Sequence, residues 1–488
     1  MTSPNVVLHD SFSRNGYQTF QHQRLKGDNS TEIEYTMQAA IDQLGFGRFQ
    51  VKISVLAGLC YMADAMEMML LSILAPVLKC TWKLSGLQEA ILTASVFFGM
   101  GLTSNFWGIL SDKYGRKPVL LLFASFTGYF GILSSLSPNY WWILATRFVV
   151  GCGLGATPQA MTYYSEFLPT KFRGPCMFAI AIMWAVGSCL EAALALVVMD
   201  TLGWRWLLGI SSLPLLAFSL TFKLLPESPR YHLVHGQRSQ AMAVLEKIAR
   251  ENGSKLPEGT LLDPKDKKKD GTQWKDLFLP GRRRTTVMVT IMGLSGNMAY
   301  YGSAILTTSL FEQDDGCHGY DSESNKPTDS CDVYCKTLSK SDYVDFLITT
   351  LSEVPGILLS MFLLARLGRK KLLALLYFSY TAVMLLCNIC APRSVLVGLL
   401  FVARALGDGA AQGNSVYTAE VFPTSIRAAA LGWCSSVTRA GIMMTPFLAQ
   451  VLIQQSVYLS ISSFALLGAL GGLAAMLLPV ETANSEML

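Results

Sequence analysis

About twelve apolar runs, each close to the roughly 20 residues needed to cross the hydrocarbon core of a bilayer, divide this 488-residue chain. They lie near 52–77, 87–110, 118–136, 141–162, 175–199 and 204–225, then near 285–309, 343–365, 372–391, 394–416, 430–453 and 456–479. Inside lipid the backbone must satisfy its own N–H and C=O groups, so runs of this length are helices. A membrane barrel would need short alternating segments, which are absent. Only 15% of residues are charged, against 51% hydrophobic, and the charges collect between the runs. A soluble fold would expose or misfold so many apolar stretches.

Polar cassettes between the runs recur in the same order about 254 residues apart. Tyr164-Ser165-Glu166-Phe167-Leu168-Pro169-Thr170-Lys171-Phe172-Arg173 returns as Tyr417-Thr418-Ala419-Glu420-Val421-Phe422-Pro423-Thr424-Ser425-Ile426-Arg427. Asp112-Lys113-Tyr114-Gly115-Arg116-Lys117 returns as Arg366-Leu367-Gly368-Arg369-Lys370, and Pro226-Glu227-Ser228 as Pro479-Val480-Glu481-Thr482. A period this long marks a duplicated half of a membrane protein, not a solenoid. The expected class is therefore an all-α membrane protein with twelve transmembrane helices in two pseudo-symmetric six-helix halves. The chain divides into an N-terminal tail (1–50), a first half (51–225), a central loop (226–284), a second half (285–480) and a C-terminal tail (481–488).

Lys113, Arg116, Lys117, Lys171, Arg173, Arg366, Arg369, Lys370, Lys371 and Arg427 all fall on the cassette-bearing side, which makes that side cytosolic. The longest opposite loop, about 311–342, is acidic, and both tails are then cytosolic. The first tail has no apolar run beside a cleavage site, so no signal peptide is expected to be removed. In the central loop, 237–251 reads as an amphipathic helix with Ala241, Val244, Leu245 and Ile248 on one face. Lys265, Lys267–Lys269 and Arg282–Arg284 read as a solvated basic linker.

Seven cysteines, Cys60, Cys152, Cys176, Cys189, Cys387, Cys390 and Cys434, lie inside apolar runs and read as packing residues. Cys80, Cys317, Cys331 and Cys335 face the oxidising side and are disulfide candidates; lacking suitable histidine spacing, they do not read as a metal site. The sequons at Asn29 and Asn252 fall on the cytosolic side and are expected to stay unmodified. Gly151-Cys152-Gly153-Leu154-Gly155 follows no strand, so its glycines read as helix packing and not as a phosphate loop. Neither enzymatic activity, nor a cofactor, nor a nucleic-acid partner is expected.

Together, the loop Asp112–Lys117, its partner Arg366–Lys370, the Glu-x-x-Pro-x-x-x-Arg cassettes and Pro226-Glu227-Ser228-Pro229-Arg230 resemble the signature loops of the major facilitator superfamily. The resemblance extends over nearly the whole chain past residue 45. Gly45-Phe46-Gly47-Arg48-Phe49-Gln50, Met62-Ala63-Asp64-Ala65-Met66-Glu67 and Gly203-Trp204-Arg205-Trp206 are similar to the synaptic vesicle two-related branch, and most to its shorter members. That branch lies close to the organic cation and anion transporters, whose Glu353-Val354-Pro355-Gly356 type of motif is also present. The sugar-porter Gln-Leu-Ser motif is replaced by Asn297-Met298-Ala299-Tyr300-Tyr301-Gly302, and the long luminal domain of the vesicle glycoproteins by a loop of about thirty residues. The resemblance implies a central cavity between two rocking halves. It points to a secondary or facilitative transporter of a small organic ion, an anion more than a cation, with a proton as the candidate coupling ion. The rival reading is a non-transporting membrane binding or trafficking protein on the same fold. The expected setting is the plasma membrane or a secretory or vesicle membrane, with a monomer in contact with its substrate and the lipid bilayer.

Ionisable residues inside the helices point to the cavity, because burying charge in lipid is costly. Asp64 and Glu67 stand near mid-depth of the first run, three residues apart on one helix face. Two adjacent carboxylates in a dry cavity resist double ionisation, so one should hold a proton and can carry it. Arg147 is their structural partner in the alternative reading, and Glu191 completes this cavity group. Arg404 occupies the second-half position of Arg147. With Glu353, Asp408, Asn297, Tyr300, Tyr301 and Arg439 it makes up the candidate substrate set. Arg439 stands out: organic anion transporters look similar at this place, cation transporters carry an acid, and a guanidinium offers a carboxylate two parallel bonds. Asp112, Arg116, Glu166 and Arg173, with Arg369, Glu420 and Arg427, place both signs at adjoining helix ends and read as gating charges.

This topology predicts that epitope tags within 1–50 and 255–275 are protected in intact cells, while a tag at 320–328 is reached from the outside or lumen. A tag at 265 exposed on that outer side would overturn the orientation.

Overall fold

The computed structural model describes residues 34–262, 274–312, 338–389 and 391–482. The first half holds α2 (Arg48–Trp82), α3 (Gly86–Tyr114), α4 (Arg116–Ser135), α5 (Tyr140–Leu154) continued by α6 (Thr157–Ser165), α7 (Thr170–Val198) and α8 (Trp204–Leu220). The second holds α11 (Arg283–Glu312), α12 (Lys340–Leu351) continued by α13 (Glu353–Leu367), α14 (Arg369–Leu386), α15 (Arg393–Val421), α16 (Thr424–Ile442) and α18 (Val457–Met476). From α16 a π-turn, Phe447–Val451, leads into α17 (Leu452–Gln455) and completes the eleventh span. Counting continued helices together, each half has six spans.

Proline sets two of the breaks. Pro158 and Pro355 each lack an N–H and crowd the preceding turn, and the spans part just before them. At the first break the Cys152 carbonyl is taken by Thr103 Oγ1 and Trp107 Nε1, each at 2.7 Å. Broken backbone at membrane depth is tolerated where neighbouring side chains satisfy it in this way. The glycines before the break do pack helices: a Cβ on Gly151 would meet the backbone of Val96, and one on Gly99 the backbone of Phe148 and Cys152.

The duplicated cassettes build the same clamp twice at the cassette-bearing face. Glu227 accepts the N–H groups of Arg116 (2.9 Å) and Lys117, at the start of α4. Glu481 accepts those of Arg369 (2.8 Å) and Lys370, at the start of α14. A carboxylate at a helix N-terminus meets both the unpaired donors and the positive end of the dipole. Gly115 and Gly368, at φ +104° and +79°, let the chain turn there, and a side chain on Gly115 would collide with Glu227. Tyr163 and Tyr417 donate to the carbonyls of Pro226 and Val480, each at 2.7 Å. The structural register thus sets Tyr163, not Tyr164, opposite Tyr417.

The first tail is not loose throughout. β1 (Glu34–Tyr35) pairs in parallel with β2 (Thr260–Leu261) of the central loop, and α1 (Met37–Leu44) follows it. Asp42 accepts the Thr170 N–H at 2.6 Å and so caps α7. Asn252 caps α2, its Oδ1 accepting the Phe49 N–H at 3.1 Å while its amide donates to Gln50 Oε1 at 2.8 Å. The central loop contributes α9 (Pro229–Val234) and α10 (Arg238–Asn252). The apolar face expected at 237–251 is present, with Ala241, Leu245 and Ile248 buried and Val244 packed against the same core. The expected linker at Lys265 and Lys267–Lys269, like Asn29, lies outside the described residues.

Glu227→Ala and Glu481→Ala should each lower stability by about 1–2 kcal/mol, the scale of a lost helix cap. Thermal unfolding in detergent or nanodiscs checks this, and losses of unlike size would mean that the two clamps are not energetic equals.

Candidate functional site

The halves meet along a seam whose described bonds all lie from mid-depth outward. At the outer rim Lys79 Nζ stands 2.6 Å from Glu312 of the second half and 3.4 Å from Glu89 of the first. Two turns into α3, Thr93 meets Gln450 at 3.5 Å. At mid-depth Trp184 Nε1 donates to the Tyr300 hydroxyl at 2.7 Å, Arg404 reaches Met69 Sδ at 2.9 Å, and Arg439 donates to the Met100 carbonyl at 3.1 Å. Ala181 and Ala185 pack on Ile357 beside them. The seam is therefore fastened at the outer rim and through the middle.

The sequence-predicted charges divide into three groups. Glu67, fully buried, pairs with Arg147 at 2.9 Å and accepts from Ser212 at 3.0 Å, while Arg147 also donates to Ser134. This acid serves the interior of the first half. Glu191 accepts the Ser211 hydroxyl at 2.8 Å, equally buried. In the second half Arg404 binds Glu353 Oε1 at 2.7 Å, and Tyr300 donates to the same oxygen at 3.0 Å. Glu353 Oε2, Arg404 Nη1 and Asp408 Oδ2 are buried without a hydrogen-bond partner. Arg404, Glu353, Tyr300 and Asp408 are thus buried, not spread over an open cavity wall, and Arg404 and Tyr300 reach across the seam.

Asp64 and Arg439 form the third group. Asp64 is 2% exposed, its Oδ1 has no hydrogen-bond partner, and Thr157 at the α5–α6 break and Arg439 of the other half lie within its electrostatic reach. Arg439 has the Met100 carbonyl as its hydrogen-bond acceptor, with Tyr301, Asp64 and Tyr61 within its electrostatic reach. Around them Tyr61 lies 5.3 Å from Trp184 between ring centroids, Phe97 5.4 Å from Tyr301, and Tyr300 5.0 Å from Tyr301. Asn297 turns its amide back to the Gly293 carbonyl at 2.9 Å. Asp64 and Glu67, expected on one face, serve different places: one looks into the seam and the other into the bundle.

At the cassette-bearing face both signs adjoin within each half. Arg116 meets Asp112 at 3.0 Å and Glu166 at 3.5 Å, and Arg369 meets Glu420 at 2.9 Å. Arg173 donates to Gln38 of α1 and Arg427 to its own Phe422 carbonyl. Sequence reasoning did not single out Lys79, Glu89 and Glu312, nor Trp184 and Met69. The first three sit at run ends, where charges are ordinary, and the others are apolar residues in apolar helices. Cys80 is disulfide-bonded, and Cys317, Cys331 and Cys335 lie outside the described residues. Cys60, Cys152, Cys176, Cys189, Cys387 and Cys434 are free, while Cys390 also lies outside the described residues.

Comparison with known proteins agrees with this architecture. Residues 14–317 match the family described as "Sugar (and other) transporter", and residues 346–487 match the Major Facilitator Superfamily. Synaptic vesicle 2-related protein of Pongo abelii is 46% identical over 454 residues, 93% of this chain and 82% of its own. SVOPL of Homo sapiens is 35% identical over 92% of each chain, so the shorter relatives suggested by the motifs share less than the longer one. The xylose transporter XylE from E. coli, in a partially occluded inward-open conformation, superposes with a TM-score of 0.68 over 90% of this chain and 99% of its own. At 16% identity that likeness is one of fold.

Breaking the Glu67–Arg147 pair from one side should be severe. Glu67→Gln leaves a guanidinium buried without its counter-charge and should cost about 3–5 kcal/mol, whereas Glu67→Leu combined with Arg147→Met should recover most of the loss. Thermal unfolding of the two variants beside the parent protein measures both.

Proposed function

The chain belongs to the major facilitator superfamily, among the synaptic vesicle 2-related proteins, and on that premise we propose that it carries a small organic anion across the membrane by alternating access, with a proton as coupling ion. As a multi-pass membrane protein it would work as a monomer, in a secretory-vesicle or plasma membrane, with both tails in the cytosol. The observation that carries the reading is Arg439. A guanidinium keeps its charge at any physiological pH, and Arg439, half-buried in a membrane-spanning helix, still bears a cost without a counter-charge. Arg147 and Arg404 each have a glutamate at 2.9 and 2.7 Å, whereas Arg439 is given one backbone carbonyl. A substrate carboxylate or sulfonate would supply the missing counter-charge with two parallel bonds. Tyr61 and Tyr301 would supply apolar walls with polar tips.

Alternating access is supported by where the halves are joined. An outer rim closed by Lys79 and a mid-depth seam, with cytosolic charge pairs kept inside each half, suit a state open toward the cytosol. The acid of α2 free to exchange a proton is Asp64, since Glu67 is committed to Arg147.

Arg439→Asp should abolish anion-induced thermal stabilisation of the purified protein, and Arg439→Lys should restore it only partly, having lost the fork geometry. A screen of organic anions and cations reads this directly. Unchanged anion binding in a folded, correctly localised Arg439→Asp protein would overturn the reading.

A further inference from the structure

Where α3 and α5 of the first half pass the eleventh span of the second, the seam opens sideways toward lipid in a crevice of about 520 Å3. Ile91 and Phe98 of α3, Trp141 and Phe148 of α5, and Met443 and Phe447 of the eleventh span are among the residues that line it. Trp141 and Phe98 are exposed, at 72% and 47%, as apolar side chains bordering hydrocarbon are. The one hydroxyl of the lining, on Ser95, is already given to the Leu92 carbonyl at 2.7 Å, so the crevice gives water little to bond. From the outer rim it leads inward to Arg439. On α3, Ile91, Ala94, Phe98 and Gly101 follow at helical spacing down one face, and a Cβ on Gly101 would stand 3.9 Å from Arg439 Cβ. On the other wall Met443 lies one turn beyond Arg439, on the same helix face. The guanidinium donates to the Met100 carbonyl and, among the described residues, makes no ion pair. We propose that the crevice is the tail pocket of the anion site, and that the anion taken by Arg439 is a single-chain amphiphile, a carboxylate on an unbranched alkyl chain. This rests on the anion-transport reading above and names its class of anion.

Length and chemistry both fit. From Gly101 to Ile91 α3 rises about 15 Å, and an extended alkyl chain advances about 1.3 Å per carbon, so about ten to twelve carbons cover the distance. At the inner end a carboxylate meets the fork of Arg439 and supplies the counter-charge that its own half does not. The tail by itself gains little, because the crevice is no more apolar than the lipid beside it. Head and tail therefore select together: an uncharged chain has no reason to leave the bilayer, and a short anion reaches Arg439 but leaves the crevice to lipid. The walls come from both halves, so rocking one half against the other reshapes the tail pocket while it re-aims the head.

The probe is dodecanoate with a photoreactive diazirine at its far end, added to the full-length protein in nanodiscs, irradiated and mapped by mass spectrometry. The expected result is labelling concentrated around Ile91, Trp141 and Phe447, at the outer end of the crevice, and suppressed by excess unmodified dodecanoate. Arg439→Gln should lower that labelling roughly tenfold, the effect of losing a charge-assisted pair. Ala145→Trp, which fills the crevice from an exposed position on α5, should lower it as well. Labelling spread evenly over the lipid-facing helices and indifferent to Arg439→Gln would mean solvation by the bilayer only, and the tail pocket is then wrong. Crevice labelling that survives Arg439→Gln puts the head elsewhere and overturns the proposal too. Thermal stabilisation by butyrate, compared between the parent and Arg439→Gln, separates the two readings. If butyrate acts through Arg439 while the crevice is not labelled, the anion site stands and the amphiphile falls. If neither probe depends on Arg439, the anion-transport reading falls with it. Should Arg439→Gln fail to fold, Ala145→Trp decides, and undiminished crevice labelling in it overturns the proposal.

Discussion

A guanidinium cannot shed its charge, and three of them lie within the membrane-spanning core of this chain, at Arg147, Arg404 and Arg439. In a medium where an unpaired charge costs several kcal/mol, each must be answered from somewhere. Two are answered by glutamates of their own half, with serines and a tyrosine taking further lone pairs and donors. Those two pairs fix helix against helix, α2 on α5 and α13 on α15. The third projects out of its own half and rests on the backbone of the other. What distinguishes a structural arginine from a binding one here is whether its counter-charge was built into the same half.

The second organising constraint is duplication. Glu227 and Glu481, Tyr163 and Tyr417, and the pairs Arg116–Glu166 and Arg369–Glu420 repeat a single solution for ending a span and starting another at the cassette-bearing face. Departures from the repeat are then informative. Among the described residues, only the first half carries a clip of α1, α9 and α10, in which Asn252 and Asp42 cap α2 and α7. The middle of the membrane departs as well, since Asp64 and Arg439 have no counterparts of the same charge.

Much of this was legible in the sequence. Run length and the hydrogen-bond demands of lipid require twelve helices, and the recurring cassettes mark the two halves. The charges of the core were equally visible, because they are rare in apolar runs. What escaped was direction. Residues three apart on a helix diverge by about 60°, and the seam falls between Asp64 and Glu67, so a spacing that suggested one site serves two. α2 is buried almost all round, leaving no polar stripe to orient it. The clip escaped for a different reason: Asn252 meets Phe49 across 203 residues of chain, and no local pattern encodes such a contact. Trp184 and Met69 carry no signal either, being apolar residues in apolar helices.

α2 is also a lever. It runs for 35 residues, about 52 Å at the rise of an α-helix, and Lys79 lies about 22 Å along it from Asp64. A tilt of about 10° around mid-depth would leave Asp64 nearly in place and carry Lys79 roughly 4 Å, farther than its present 2.6 Å separation from Glu312. A smooth rotation at the centre is thereby read at the rim as contact or no contact, and the outer end of the helix behaves as a switch although nothing in the middle has to snap.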